Sequence, residues 1–388
     1  MSMVHPEPDW SDSRGIGHAP WWLWPLWAMP ALLYRGGVAL RGWLFRMGLF
    51  HTYRAPVAVI SVGNLLVGGT GKTPMVDYLL QEAKRAGRRP ACLTRGYGRR
   101  SKARLTRLVG RAADGDHPAG PGEGGEIDPR TVGDEPAMLA RRHPGIPIYI
   151  GAHRRESARL APLWDGVDLL LLDDGYQHLS LHRDLNIALV DAIHGLGNGR
   201  MLPLGPLREP LAALSRADAV LITKANLGDS EALQSRLARL VAPGTPIWRC
   251  DYLPTQVTRL DGRHRLEPGA LAGREVSVIC AIAQPAGLVR TLADLGATVT
   301  DLKALPDHHD FSGEELAALE ASMAREIPSS SNGPPGHLWL MTEKDAVKFR
   351  GRVKAPRNFH VLEMGMVPEP DARKFFFDFI RSATLKSL

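Results

Sequence analysis

From residue 55 onward the chain alternates short apolar runs with longer stretches whose apolar positions recur every three or four residues. The runs at 57–62, 90–94, 146–150, 167–172, 187–190 and 219–223 are too short for helices and almost wholly apolar, the pattern of strands buried on both faces. Helical spacing falls between them, at 73–86, 135–142 and 153–162. A second series repeats the alternation, with strands at 275–281, 298–302 and 337–341 and helices at 285–295 and 312–325. Ser312 and Glu315 open the last of these as a capping box. Such alternation predicts an α/β fold: a parallel sheet covered by helices, followed by a second, smaller α/β lobe. Gly- and Pro-rich stretches at 111–130 and 328–336 read as loops. Turns around 243–262 place the lobe boundary near 225–255. The resulting division is 1–50, a core lobe at 51–240 and a second lobe at 241–388.

The first fifty residues follow another pattern. No residue between Arg14 and Arg35 carries a formal charge with His18 neutral, and six of the nine Trp lie within residues 10–43. Pro20, Pro25 and Pro30 interrupt the segment. A straight spanning helix needs about 20 uninterrupted apolar residues, so a transmembrane reading is weak. Cleavage as a signal peptide is disfavoured too, because the n-region is not basic. From residue 32 to 50 apolar positions interleave with Arg35, Arg41 and Arg46, as in a basic helix lying on anionic lipid. The segment therefore predicts peripheral, monotopic membrane attachment; packing of its aromatics on the protein's own core is the alternative.

Composition narrows the field. The 388 residues are 44% hydrophobic and 23% charged, which excludes a disordered chain. A net charge of +7 favours an anionic partner. Cys92, Cys250 and Cys280 have no CxxC spacing, which argues against a disulfide scaffold or cysteine zinc site and for a reducing compartment.

The sharpest chemical signal spans residues 61–74, SVGNLLVGGTGKTP. A strand, a Gly-rich turn, Gly71-Lys72-Thr73 and a helix form the context of a phosphate-binding loop. Glycines let the backbone approach a triphosphate and point N–H groups at it. The candidate nucleotide-binding residues are Leu66, Val67, Gly68, Gly69, Thr70, Gly71, Lys72 and Thr73. Lys72 would reach the outer phosphates, and the Thr73 hydroxyl would ligate Mg²⁺. The strict pattern wants glycine where Leu66 stands. A second signal follows at 168–175, where an apolar run delivers Asp173 and Asp174 to a strand's carboxyl end, the position of a magnesium-binding carboxylate.

Polar clusters recur where other strands would end. They read TRGYGR (94–99), GDEP (133–136), DDGYQH (173–178), GNGRMLPLGPLREP (197–210), PDHHDF (306–311) and TEKDAVK (342–348). With the phosphate loop, and in this order, they resemble the tetraacyldisaccharide 4'-kinase family from about residue 15 to 365. The family shares the missing first glycine and an apolar N-terminal helix. Departures are Tyr176, where Phe is frequent, and the Gly-rich insertion at 111–130.

The resemblance implies transfer of a phosphoryl group from ATP, with Mg²⁺, to the 4'-hydroxyl of a tetraacyl glucosamine disaccharide 1-phosphate at the cytoplasmic face of the bacterial inner membrane. Asp134 matches the family's catalytic carboxylate, acting as base with a His from the other lobe; His308 is the first choice and His309 the alternate. Asp173 and Asp174 match the metal-site pair, with Glu209 as a third carboxylate. Partners implied are the lipid substrate and the anionic membrane surface, with neither nucleic acid nor a protein partner. The bottom-up chemistry agrees, since a sugar hydroxyl needs a positioned proton acceptor and a loose phosphoryl transition state needs charge stabilisation.

Three other classes compete. A membrane-associated ATPase of the partitioning or targeting type would carry an extra Lys near the loop's start, where this chain has Leu66 and Val67. A nucleic-acid binder would group its basic residues, which here are scattered. A purely structural membrane protein has no use for paired Asp opposite a phosphate loop.

Overall fold

The computed structural model describes residues 24–96, 99–101, 103–110, 127–282, 285–307, 309–326 and 337–383. Its first half runs α1 (Trp24–Arg46), β1 (Ala58–Asn64), α2 (Lys72–Arg85), β2 (Pro90–Thr94), β3 (Leu105–Val109), α3 (Pro129–Val132), α4 (Asp134–Arg142), β4 (Pro147–Gly151), α5 (Arg154–Asp165), β5 (Leu169–Asp173), β6 (Leu185–Asp191), β7 (Ala219–Thr223) and α6 (Ser230–Leu237). The second half runs β8 (Ile247–Arg259), β9 (Arg265–Leu266), β10 (Glu275–Cys280), α7 (Pro285–Asp294), β11 (Thr298–Ala304), α8 (Gly313–Glu326), β12 (His337–Thr342), α9 (Glu343–Phe349), β13 (Phe359–Pro368) and α10 (Pro370–Ser382).

All strands join one sheet in the order β11-β10-β12-β13-β8-β7-β6-β1-β5-β2-β4-β3, with β9 beside β8. Strand β1 is buried at every residue, because helices cover both of its faces. It pairs in parallel with β5, Val62 opposite Asp173, and with β6, Asn64 opposite Leu189. Met75, Val76, Leu79 and Leu80 form the fully buried stripe of α2 on one face, with Phe376 and Ile380 of α10 in the same core. On the other face Ala158 and Ala161 of α5 pack with Val57, Val59, Leu170 and Leu172. Burying each of the larger aliphatic side chains contributes roughly 1.5–3 kcal/mol.

The parallel strands stand where the apolar runs predict them, and three antiparallel pairings add to that expectation. These are β3 with β4, β9 with β8, and the long pairing of β13 with β8, from His360 opposite Arg259 to Pro368 opposite Cys250. Strand β8 also continues the first half's sheet through β7, so it is common to both series of elements. The predicted capping box forms: Ser312 Oγ accepts from Glu315 N at 3.1 Å, and Glu315 accepts from Ser312 N at 2.7 Å. The Asp128 side chain caps α3 within the stretch read as a loop, and residues 111–126 lie outside the described residues.

Helix α1 lies against the body through polar contacts. Tyr34 Oη donates to the Arg208 carbonyl at 2.9 Å, and Arg41 donates to the Gln177 carbonyl at 2.9 Å. Several of its apolar side chains remain outside: Trp27, Met29, Leu32, Leu33, Leu40 and Trp43 are exposed, while Val38, Leu44 and Phe45 are half-buried. Trp21 and Trp22 lie outside the described residues. Among the described residues no helix is long and apolar enough to cross a membrane.

Candidate active site

The carboxyl ends of β1, β5, β6 and β7 meet at one edge of the sheet, and the loop 65–71 leaves β1 there. Leucine stands at position 66 because that end of the loop is held by packing. Leu66 is buried with Tyr176 and Leu207, and it forms an antiparallel bridge with Leu207. Val67 N donates to the Pro206 carbonyl at 2.9 Å, and Arg208 N to the Leu65 carbonyl at 2.7 Å. Downstream the backbone must turn. Gly71 has φ +82° just before α2, where a side chain would also collide with Met366 Cε at 2.3 Å. Gly63 has no room for a Cβ either, since the Tyr176 backbone nitrogen would stand 2.6 Å away. Gly68 and Gly69 face open space. The loop's carbonyls are tied back: Thr223 Oγ1 donates to Thr70 O at 3.0 Å, and Lys224 Nζ to Gly69 O at 3.1 Å.

Lys72 begins α2 and folds over the loop. Its Nζ lies 3.3 Å from Asn64 Oδ1, 3.4 Å from Gly68 O and 3.7 Å from Asp174 Oδ1. Thr73 is buried in the first turn of the helix. The two aspartates after β5 have opposite environments. Burial drives the Asp173 carboxyl up to about 7, aided by the nearby Glu135 and Asp174 carboxylates. Thr94 Oγ1 donates to Asp173 Oδ2 at 3.0 Å, while Asp173 Oδ1 is buried with no hydrogen-bond partner among the described residues. Burial also acts on Asp174, but Lys72 and Arg208 outweigh it and hold that carboxyl below its ordinary value. Asp174 sits in the left-handed region at φ +51°, and Arg208 donates to it at 3.0 and 3.1 Å.

A buried carboxylate oxygen without a donor, beside a loop of open glycines and a lysine, fits a hard cation held between carboxylate and phosphate. No group of three or more His, Cys, Asp or Glu placed to hold a metal occurs among the described residues. In Mg²⁺ sites of this kind, one or two carboxylates and the substrate's phosphates share the ion with water.

Asp134 opens α4, and its Oδ2 lies 3.0 Å from Lys348 Nζ of α9. The same ammonium donates to the His309 carbonyl at 3.0 Å. The PDHHDF and TEKDAVK segments are thereby brought onto the GDEP helix.

A family profile described as Tetraacyldisaccharide-1-P 4'-kinase matches residues 19–382. The chain belongs to the tetraacyldisaccharide-1-P 4'-kinase family. It is 40% identical to the tetraacyldisaccharide 4'-kinase of Anaeromyxobacter sp. (strain K) over 354 residues, 87% of each chain. With that of Syntrophus aciditrophicus (strain SB) the identity is 38%, over 87% of this chain and 88% of the relative. Among solved structures, the "apo" form of LpxK from Aquifex aeolicus in complex with ATP matches with a TM-score of 0.70 at 28% identity. The match covers 92% of this chain and 98% of that one.

In this 4'-kinase family member the loop residues 66–73, Asp173 and Asp174 gather at one sheet edge, and Asp134 stands at the junction of the two series of elements. His308 lies outside the described residues. His309 directs its Nε2 to Glu315 at 3.0 Å and its ring edge-on to Phe311. Glu209 is buried and paired with Arg216, while the neighbouring Arg208 is the residue that reaches Asp174. Sequence reasoning gave no role to Asn64, Thr94, Glu135, Arg208 or Lys348. All five lie within segments read as chemical: Asn64 in the phosphate loop, Thr94 at the start of TRGYGR, Glu135 in GDEP, Arg208 in GPLREP, and Lys348 at the end of TEKDAVK, one helical turn beyond Asp345. Position in a motif was the available signal; which side chain meets which required the fold.

Proposed function

We propose that this chain transfers the γ-phosphate of ATP to the 4'-hydroxyl of a tetraacyl glucosamine disaccharide 1-phosphate. The observation that carries the reading is the buried, undonated Asp173 oxygen set against the Lys72 loop. Gly68 to Thr73 would receive the phosphates, and Thr73, Asp173 and Asp174 would hold Mg²⁺. Glu209 would serve as a third carboxylate only on releasing Arg216. Bound Mg²⁺ neutralises charge on the outer phosphate oxygens. Lys72 would move from Asn64 and the Gly68 carbonyl onto phosphate, exchanging neutral acceptors for an anionic one. Asp134 is assigned as the base for the sugar hydroxyl, with His308 as its partner and His309 as the alternate.

The two-part division at 51–240 and 241–388 is part of the same reading: the first part supplies the loop and carboxylates, and the second brings Lys348 and the His pair. Residues 1–50 are assigned to peripheral attachment at the cytoplasmic face of the inner membrane. The exposed Trp27, Leu32, Leu33 and Leu40 support it, with Arg35 and Arg46 available to anionic headgroups. No nucleic-acid or protein partner enters this reading.

ADP release measured with the lipid disaccharide, with DNA and with no acceptor tests the proposal. Release that depends on the lipid supports it; equal release in all three arms would indicate an ATPase of the partitioning type. Asp134→Ala and His308→Ala are expected to lower kcat more than they raise KM for ATP. If His309→Ala is damaging and His308→Ala silent, the two histidines exchange roles.

A further inference from the structure

Helices α4 and α9 lie alongside in opposite senses and are fastened at both ends. At one end Asp134, the first residue of α4, meets Lys348 near the end of α9. At the other, Arg142 closes α4 and meets Glu343, the first residue of α9, through Nε to Oε1 at 2.6 Å and Nη2 to Oε2 at 2.7 Å. Between them Arg141 donates to the Val347 carbonyl at 3.3 Å.

The Arg142 end gathers more than two elements. Its Nη1 bonds Asp77 of α2, the helix that begins with Lys72, and its Nη2 also reaches the Met364 carbonyl of β13 at 3.3 Å. The second oxygen of Asp77 lies 2.7 Å from His143 Nε2. Asp77 is 3% exposed at its side chain, Glu343 15% and Arg142 17%, so these are desolvated charges that depend on one another. A planar fork with five donors makes all these contacts at once; a lysine ammonium has neither the span nor the geometry. Helix α4 has nine residues, a rigid rod of roughly 13 Å. Any tilt at Arg142 is therefore felt at Asp134.

We propose that Arg142 is a positioning residue for phosphoryl transfer: by clamping Glu343 and Asp77 it fixes α4 against α9 and α2, and so sets Asp134 in place relative to the phosphate loop. The inference rests on the reading of Asp134 as the base. Arg142 touches neither that carboxylate nor the loop, and it acts only through the helix.

The test is steady-state phosphoryl transfer by Arg142→Lys and Glu343→Gln, each made alone and in an Asp134→Asn background, with melting temperature recorded for all. Expected in the single variants is a fall in kcat of about tenfold with KM for ATP within about threefold of the starting value. In the Asp134→Asn background the same changes should lower the residual rate by less than about twofold, because the path through Asp134 is already cut. An equal loss in both backgrounds, or unchanged kcat in both single variants, overturns the proposal and leaves an ion cluster that serves stability alone. Should Arg142→Lys fail to fold, Glu343→Gln carries the comparison, since it keeps the size and hydrogen-bonding reach of the side chain. Full turnover in the Asp134→Asn single variant would sink the base assignment, and the inference with it, and that result is read without either clamp variant.

Discussion

Lys348 holds Asp134: its ammonium lies 3.0 Å from the carboxylate, buried at 5% exposure, with the fully buried Asp345 3.9 Å away. One cation thus serves two carboxylates from separate elements. Lys348→Met should leave both without it and cost about 3 kcal/mol of stability, in the range for breaking a buried pair. A kcat loss of about tenfold is expected alongside, from misplacement of Asp134. Thermal unfolding and steady-state kinetics on the same preparation check both; a variant as stable as the parent would show that the pair is dispensable.

Lys72→Ala and Thr73→Ala should each reduce phosphoryl transfer by about 10²-fold or more, as expected when charge stabilisation of the transition state is deleted. Both residues lie at the start of α2, outside the stripe that packs the core, so circular dichroism should be unchanged. Near-parental kinetics in both variants would remove the nucleotide from this loop.

Asp173 is expected to trade stability for function. Its folded value, near 7, lies above its ordinary 3.8, and Glu343, also raised to about 7 chiefly by burial against the opposing pull of Arg142, behaves alike. The native state then binds more protons than the unfolded chain between roughly pH 4 and 7, so stability should fall as pH rises through that window. Asp191 has the opposite shift, to about 2, where the His194 and Lys224 contacts outweigh burial; its contribution is lost only under strong acid. Asp173→Asn should therefore raise the melting temperature of the ligand-free protein at pH 8 while abolishing turnover. A gain of about 1 kcal/mol corresponds to roughly 2 °C in a chain this long. A lower melting temperature at pH 8 would show that the carboxylate is compensated.

Leu66→Gly restores the usual first glycine of a phosphate loop, yet it should harm the protein. It removes a side chain buried against Tyr176 and Leu207, a loss of about 3 kcal/mol. The loop should loosen, and KM for ATP should rise. An unchanged melting temperature with improved kinetics would contradict the anchoring role of the leucine.

Deleting residues 1–50 should weaken membrane binding and reduce activity on the long-chain lipid more than on a short-chain soluble analogue. The full chain should leave vesicles partly in high salt and more completely in detergent. Equal activity losses on both substrates would instead assign α1 to the support of the 177 and 208 segments that it touches.

The sheet was legible because its parallel strands are buried on both faces and therefore read as unbroken apolar runs, β1 and β5 most clearly. Strands β8 and β13 were not, since Arg249, Asp251, Pro254, Glu363 and Gly365 interrupt any run. Their identity as strands comes from pairing with each other, a long-range contact that leaves no local periodicity. At the site, the loop, Asp173 and Asp174 announced themselves by adjacency in sequence. Lys348 and Arg142 did not, because their roles depend on α4 and α9 meeting across about two hundred residues of intervening chain. Pairing between distant charges is a property of the fold.

The bridge between Leu66 and Leu207 also bears on inheritance. A loop that starts on glycine is self-sufficient, and its neighbours are free to drift. Here the first anchor is an apolar side chain whose partner sits in the distant GPLREP segment, so the two positions form one unit under mutation. Enlarging or shrinking either leaf of the pair in isolation would shift the loop's entry, and viable descendants should change both volumes together or neither.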